Sequence, residues 1–396
     1  MKFPLMYNNI TKEDLNSIIS FLKTNPILTA SKKVLEFEKK WSKWLGVKYS
    51  IFVNSGSSAN YLTFLALKIN LKKNTKKKEV IVPTLTWNSD IVSVIQNGFK
   101  PVFVDIDLKN LCMNEEKLIK SISKNTFAVF LSHIQGFNGL SKNLLNILKK
   151  KKILLIEDVC ESHGATFNKK KLGSFGYASN FSFYYAHHLS TIEGGMICTN
   201  DYNFYQMCRM VRAHGLLRES NDLRFKQNVT KKYKNLSPNF IFMYPAFNMR
   251  SNEISAVLGI NQLKRLDKGI RKRNINFKTF LKHIDKNYFF TNFDTEGCSN
   301  YAFPLILKNK SIKLRDKLEN LMTKNNIEFR RGNAGGGNQL RQPYLKAYVN
   351  EKKIKKFTSV EHMHFFGYYV GNFPDLSKSK IIKLCKILNN IKNEKI

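Results

Sequence analysis

The chain has 396 residues, 43% of them hydrophobic, and 66 Lys and Arg against 29 Asp and Glu give a net charge of +37. No apolar run approaches the roughly 18 to 20 residues that span a bilayer, and the N-terminal MKFPLMYNNITKEDL carries too short an apolar patch for a secretion signal, so a cytoplasmic protein is expected. The charge follows a lysine-biased composition with no zinc-finger, RNP or helix-turn-helix pattern, so neither nucleic acid nor a membrane is an expected partner, although a basic surface suits a nucleoside diphosphate.

From about residue 35 to 200, short apolar runs alternate with stretches of helical periodicity. The runs are YSIFVNS (49–55), VIVP (80–83), PVFVDID (101–107), FAVFLS (127–132), ILLIED (153–158), FSFYY (181–185) and MICTN (196–200). Runs this short and apolar suit strands buried on both faces, and the helical stretches between them point to a mostly parallel sheet covered by helices. The last two runs are close enough to pair locally in opposite directions. The lysine-rich patch LKKNTKKKE (71–79) reads as an exposed loop. A helix-rich stretch covers 251–284. Beyond about 285 the pattern changes to YAFPLIL (301–307), a helix near 311–325, EFRR (328–331), a glycine-rich loop (332–339), HFFGYYVGNF (364–373) and a final lysine-rich helix. The expected division is a large domain of 1–284, N-terminal segment included, and a smaller α+β domain of 285–396. Six cysteines (112, 160, 198, 208, 298, 385) form no C-x-x-C and no cluster with histidines. Neither a disulfide framework nor a metal or iron–sulfur site is expected.

Four segments carry candidate chemistry. In NSGSSAN (54–60), between a strand and a helix, a glycine and two serines at a helix N-terminus suit a phosphate, with a plain capped turn as the alternative. In VPTLTWNSD (82–90), Trp87 follows a strand end, where an indole could stack on a flat ring or sit in the core. In ILLIEDVCESHGA (153–165), an apolar strand ends in Glu157 and Asp158, and a carboxylate there is costly unless paired with a cation such as a protonated pyridine nitrogen, with a plain cap or ion pair as the alternative. Glu161 and His163 follow closely. In GSFGYASNFSFYYAHHLSTIEGGMICTN (173–200), Ser182 lies in a strand and His187 and His188 come just after it, where an imidazole can exchange protons near neutral pH.

Taken in order with VLEFEKKWSKWLGVKYSIFVNSGSSAN (34–60) and FNMRSNEISAVLGINQLKRLD (247–267), these segments resemble the DegT/DnrJ/EryC1/StrS family of sugar aminotransferases and their dehydratase relatives over nearly the whole chain. The resemblance implies the aspartate-aminotransferase-like α/β fold of vitamin-B6 enzymes (fold type I): a mostly parallel seven-stranded sheet with helices on both faces and a smaller α+β domain. It implies pyridoxal 5'-phosphate (PLP) or pyridoxamine 5'-phosphate (PMP) as cofactor. Gly56 and Ser57 would hold its phosphate with help from Ser182, Trp87 would stack on the ring, and Asp158 would keep the ring nitrogen protonated. Glu161 stands where the family usually has Gln beside the ring hydroxyl. Asn248 would reach the phosphate of a neighbouring subunit, which implies a homodimer with shared active sites.

Most members carry a lysine six residues before the glutamate of EGG, in a pattern like SFHPSKNITTGEGG. This chain reads SFYYAHHLSTIEGG, with His187 at the lysine position. Without that amine the cofactor has no covalent anchor and is expected to be held non-covalently. The change resembles the family's sugar 3-dehydratases, as do GNQLRQP (337–343) and GYYVGN (367–372). It implies removal of the C3 hydroxyl from a nucleotide-linked 4-keto-6-deoxy sugar, with His187 as the proton carrier and L-glutamate restoring PMP. The cysteines do not fit the iron–sulfur branch, which favours a GDP-linked sugar. By resemblance, His188, His214, Arg250 and Glu328 are candidates for contacting sugar or glutamate; a salt bridge is the alternative for Arg250, and packing for His188. The competing readings are a nucleotide-sugar aminotransferase and a catalytically inactive binding or regulatory homologue.

Overall fold

The computed structural model describes residues 2–71 and 77–392. Residues 72–76 of the lysine-rich patch expected as a loop lie outside the described residues. Seven strands form the main sheet: β1 (Tyr49–Val53), β2 (Glu79–Pro83), β3 (Lys100–Val104), β4 (Thr126–Ser132), β5 (Leu154–Asp158), β8 (Ala178–Ser182) and β9 (Gly195–Thr199), after the small hairpin β6 (Thr166–Phe167) and β7 (Lys170–Lys171). Their order is β1-β9-β8-β5-β4-β2-β3. All neighbours pair in parallel except β9, which runs against both β1 and β8. The reversed local pair is therefore present, but β8 begins at Ala178 rather than Phe181. The strand stops at Ser182 because the backbone turns at Tyr184, whose carbonyl accepts the His187 N–H at 2.9 Å.

The strands are apolar throughout because both faces are covered. Alternate residues enter opposite cores, as the two-residue period of a strand requires. Phe52, Ile81, Val129 and Leu131 join Phe37 and Trp41 on one side. Ile51, Val53, Val80, Val82, Ala128 and Phe130 join Leu62 and Phe64 on the other. Helix Lys32–Leu45 belongs to the first side and helix Gly56–Asn70 to the second.

A second, antiparallel sheet has the order β10-β12-β11, with β10 at Ala302–Ile306, β11 at Phe329–Arg331 and β12 at Gly367–Gly371. Phe280 of helix Leu266–His283 stacks on Phe303 of β10 at 4.6 Å, tying the long helix to this sheet. The N-terminus lies here too: the Phe3 N–H donates to the Asn326 carbonyl, and the Glu328 N–H donates back to Phe3. The six cysteines are free thiols. No helix among the described residues is long and apolar enough to cross a membrane.

Candidate active site

Strand register gathers the candidate chemistry at one edge of the main sheet. Ser132 of β4 stands beside Asp158 of β5, and Ser182 of β8 stands beside Gly195 of β9, which also faces Val53 of β1. This is the carboxyl-end edge of the parallel strands, where open α/β sheets bind ligands.

The chain leaves β1 through Asn54 and Ser55 into helix Gly56–Asn70. Ser55 caps this helix, its Oγ accepting the Ser58 N–H at 3.0 Å. Gly56 is obligatory for a steric reason. A Cβ there would stand 2.6 Å from Ser182 Cβ, 3.1 Å from Ser182 Oγ and 3.2 Å from Cys160 Sγ. The glycine thus lets the helix start press against the end of β8. Ser57 is exposed in the first turn, where backbone N–H groups and the helix dipole favour an anion.

Asp158 lies on the floor. Its Oδ1 accepts the Cys160 N–H at 2.9 Å and its Oδ2 accepts Asn60 Nδ2 at 3.0 Å, with Cys160 Sγ at 3.5 Å. None of these partners is a cation. The amide Oδ1 of Asn60 and Nδ2 of Asn180 are buried beside it without partners. Trp87, just past β2, is 59% exposed, so the core-tryptophan alternative falls away. Glu161 is half-buried and its Oε2 accepts the Gln135 N–H at 2.9 Å. Burial, and then the charge of Asp158, push the Glu161 carboxyl up to about 7 against the Gln135 hydrogen bond.

His187 is oriented by its own turn. Its Nδ1 lies 3.1 Å from the Ser182 carbonyl, which can only accept, so Nδ1 carries the hydrogen and Nε2 the lone pair. Burial pushes this imidazole down to about 4, with the Ser182 carbonyl and Asp158 opposing, so it is neutral at physiological pH. Tyr301 and Tyr184 meet its ring edge-to-face at 5.5 and 5.9 Å. Arg273 stands close enough to depress all three histidines of the cluster, and burial brings the guanidinium itself down to about 10.

The other candidates separate into three places. His188 Nε2 donates to the Ser299 carbonyl at 3.0 Å, and the Ser299 hydroxyl lies 2.9 Å away, so this ring locks two segments together. Asn248, Arg250 and His214 share a strip beside β1. Arg250 bridges Val53, Asn248 bridges Ala213, and the His214 N–H donates to Phe247. Asn248 and His214 are exposed, whereas Arg250 Nη1 pairs with Glu219 Oε1 at 3.5 Å. Glu328 is engaged elsewhere: its Oε2 accepts the Leu5 N–H at 2.9 Å and Lys2 lies 4.0 Å from Oε1.

Sequence reasoning missed Asp90, Asn60, Tyr301, Arg273 and the loop around Gln135. Gln135 adopts a left-handed φ of +51°, and the loop is held by Glu161, Asn333 and Tyr301. The glycine-rich loop also reaches the site. A Cβ on Gly335 would stand 2.7 Å from the Thr86 carbonyl and 3.4 Å from Trp87 Cα. Adjacent glycines in that loop were the visible signal of a close approach.

The sequence pattern of the DegT/DnrJ/EryC1/StrS aminotransferase family matches residues 8–386. The chain is 33% identical over 376 residues to GDP-4-keto-6-deoxy-D-mannose 3-dehydratase of Escherichia coli O55:H7, covering 94% of this chain and 95% of that protein. Among solved structures it resembles a mutant GDP-4-keto-6-deoxymannose-3-dehydratase with bound GDP-perosamine, at 31% identity and a TM-score of 0.86, covering 98% of this chain and 100% of the other. It also resembles the enzyme of that name with a trapped PLP-glutamate geminal diamine, at 29% identity and a TM-score of 0.83, again covering 98% and 100%. The fold is thus that of the PLP-dependent aminotransferases, and the chain belongs to the DegT/DnrJ/EryC1/StrS aminotransferase family.

Proposed function

We propose that this protein is a PLP/PMP-dependent dehydratase that removes the C3 hydroxyl of a nucleotide-linked 4-keto-6-deoxy sugar, a GDP-sugar by preference, with L-glutamate restoring the amine form of a non-covalently held cofactor. One observation carries the reading: an oriented, neutral imidazole, His187, stands where the family's covalent anchor belongs. The similarity to a dehydratase bearing that name, and to its structures with a GDP-sugar and a PLP-glutamate adduct, supports it.

The residues fit the cofactor. The crowding of Gly56 against Ser182 is a cradle that a methyl group would fill. Asp158 offers a buried carboxylate without a cation, and Trp87 an uncovered indole. Bound PMP would supply an amine for the sugar's ketone and a ring that can store the electron pair freed by loss of a proton and return it as the hydroxyl leaves. Gly56, Ser57 and Ser182 would hold the phosphate, Trp87 would cover the ring, Asp158 would keep the ring nitrogen protonated and Glu161 would face the ring hydroxyl. His187 Nε2 accepts a proton and, once charged, delivers one to the departing oxygen. A low imidazole value makes it a modest base and a strong acid, which suits expulsion of hydroxide as water. His188, His214, Arg250 and Glu328 remain the candidates for holding sugar or glutamate.

A homodimer with shared sites is part of the proposal. Phe240, Phe242 and Phe247 are 59%, 60% and 71% exposed on the strip that carries Asn248, which a second copy would cover. So are the division after residue 284 and a cytoplasmic location. The test supplies purified protein with PLP, glutamate and a panel of GDP-, CDP- and dTDP-linked 4-keto-6-deoxy sugars. Dehydration releases ammonia in step with 2-oxoglutarate, and its nucleotide preference emerges directly. Release of 2-oxoglutarate without ammonia would mean that the amine stays on the sugar and the protein is an aminotransferase.

A further inference from the structure

Asp90 is almost wholly buried in the first turn of helix Asn88–Gln96. Its Oδ2 accepts hydrogen bonds from the hydroxyls of Thr86 and Ser132, and its Oδ1 accepts Asn60 Nδ2 at 2.8 Å. The same Asn60 nitrogen donates to Asp158 Oδ2 at 3.0 Å. Two carboxyl groups therefore converge on one amide, and their other partners are hydroxyls, a backbone N–H and a thiol. Two full negative charges side by side in a low-dielectric interior repel strongly, and the ordinary resolution is that the pair retains one proton. The groups facing the pair supply no positive charge to prevent this. Among the described residues they are the Cys160 thiol after β5, the Tyr344 phenol from the 339–345 segment, Glu161, whose own carboxyl is raised, and the His187 imidazole, pushed down to about 4 and so neutral.

We propose that Asp90 and Asp158 form a carboxyl pair holding one shared proton, with Asp90 the protonated member and a positioning residue for the Asp158 charge. Burial and the neighbouring Asp158 charge push the Asp90 carboxyl well up, against the pull of Ser132 and Thr86. The pair keeps the floor of the site at a single negative charge, matched to a single ring N–H. The O–H of Asp90 fixes the direction in which that charge points. This last step rests on the reading of Asp158 as the ring-nitrogen partner.

The shared proton is tested on the cofactor-free protein by infrared difference spectroscopy across pH. The expected result is the C=O stretch of a protonated carboxylic acid, persisting above the value of about 7 at which Glu161 titrates and lost in Asp90→Asn. In Asp158→Asn the like charge is gone, and the band of Asp90 titrates about one unit or more lower. That variant carries the test if Asp90→Asn does not fold. No such band in the wild type, its persistence in Asp90→Asn, or an unchanged midpoint in Asp158→Asn overturns the proposal. PLP titration of the same wild-type sample separates the two ideas, since absence of PLP binding would defeat the cofactor reading and leave the infrared result standing. With PLP bound, Asp90→Ala shifts the pH dependence of the cofactor's absorption and Asp90→Asn, a neutral N–H donor, restores it. An unshifted Asp90→Ala shows that Asp90 does not position the charge.

Discussion

Gly56→Ala puts the cradle under direct strain. The new methyl carbon would stand 2.6 Å from Ser182 Cβ, whereas ordinary contact begins at 3.4 Å, so the helix start must retreat by most of an ångström. Ser182 cannot yield instead, because its backbone is in register with Gly195 in the ladder between β8 and β9. Displacing the first-turn N–H groups forfeits at least one hydrogen bond to a charged phosphate, worth about 1.5 to 3 kcal/mol. At about 1.4 kcal/mol per tenfold, PLP affinity should fall roughly 10- to 150-fold. The overpacking itself should cost the cofactor-free protein about 1 to 3 kcal/mol. Absorbance titration with PLP and thermal melting of the cofactor-free protein measure the two effects separately. Ser57→Ala keeps its N–H and gives up one hydroxyl bond to the same charged phosphate, so it should lose about 1.5 to 3 kcal/mol of PLP binding without the overpacking cost to the cofactor-free protein. If Gly56→Ala binds PLP as tightly as the wild type, the phosphate does not sit at this helix start.

Trp87→Ala should weaken PLP binding by about 0.5 to 1.5 kcal/mol of lost stacking and scarcely move the melting temperature, because the indole is largely uncovered; a large drop in melting temperature would show that it packs within the fold. Glu161→Gln should make the cofactor-free protein more stable at alkaline pH. A carboxyl held at about 7 binds its proton more tightly folded than unfolded, so its stabilisation is complete below the unfolded value of about 4.3 and is lost as pH rises through 7. Over that window the wild type should lose about 4 kcal/mol relative to Glu161→Gln by denaturant titration, the depressed histidines contributing alike to both; parallel profiles would refute the raised carboxyl. Arg273→Ala should destabilise by about 3 kcal/mol or more, since it strips the Tyr301 and Asn372 carbonyls of a shared donor. It should also raise the His187 titration followed by NMR, because a depressing positive charge is removed; an unmoved His187 would separate the two groups.

The alternation of strands and helices was legible because strands buried on both faces are apolar throughout, as in FAVFLS. The positions of Gly56, Asp158 and Ser182 were legible for a similar reason: each ends or follows a strand at the edge that the topology turns into a site. Partnerships across the fold left no local signal. Arg250 finds Glu219, His188 finds Ser299 and Glu328 finds Leu5 only once distant segments meet. Asp90 escaped notice because an acid in the first helical turn ordinarily serves the dipole. Its neighbours Ser132 and Asn60 come from 42 and 30 residues away. The apolar stretch HFFGYYVGNF does not announce its own division: helix Thr358–Phe366 runs into it and β12 occupies only Gly367–Gly371. His362 within that helix donates to the Leu307 carbonyl, a contact that no periodicity announces.

Under the proposed function, His187, in place of a lysine, commits the site to dehydration. The most direct test is the mass of the sugar nucleotide formed from a GDP-linked 4-keto-6-deoxy sugar by the purified protein with PLP and glutamate. The expected product is one oxygen lighter than the substrate. A stable amino sugar would contradict this reading and make His187 a residue that supports transamination.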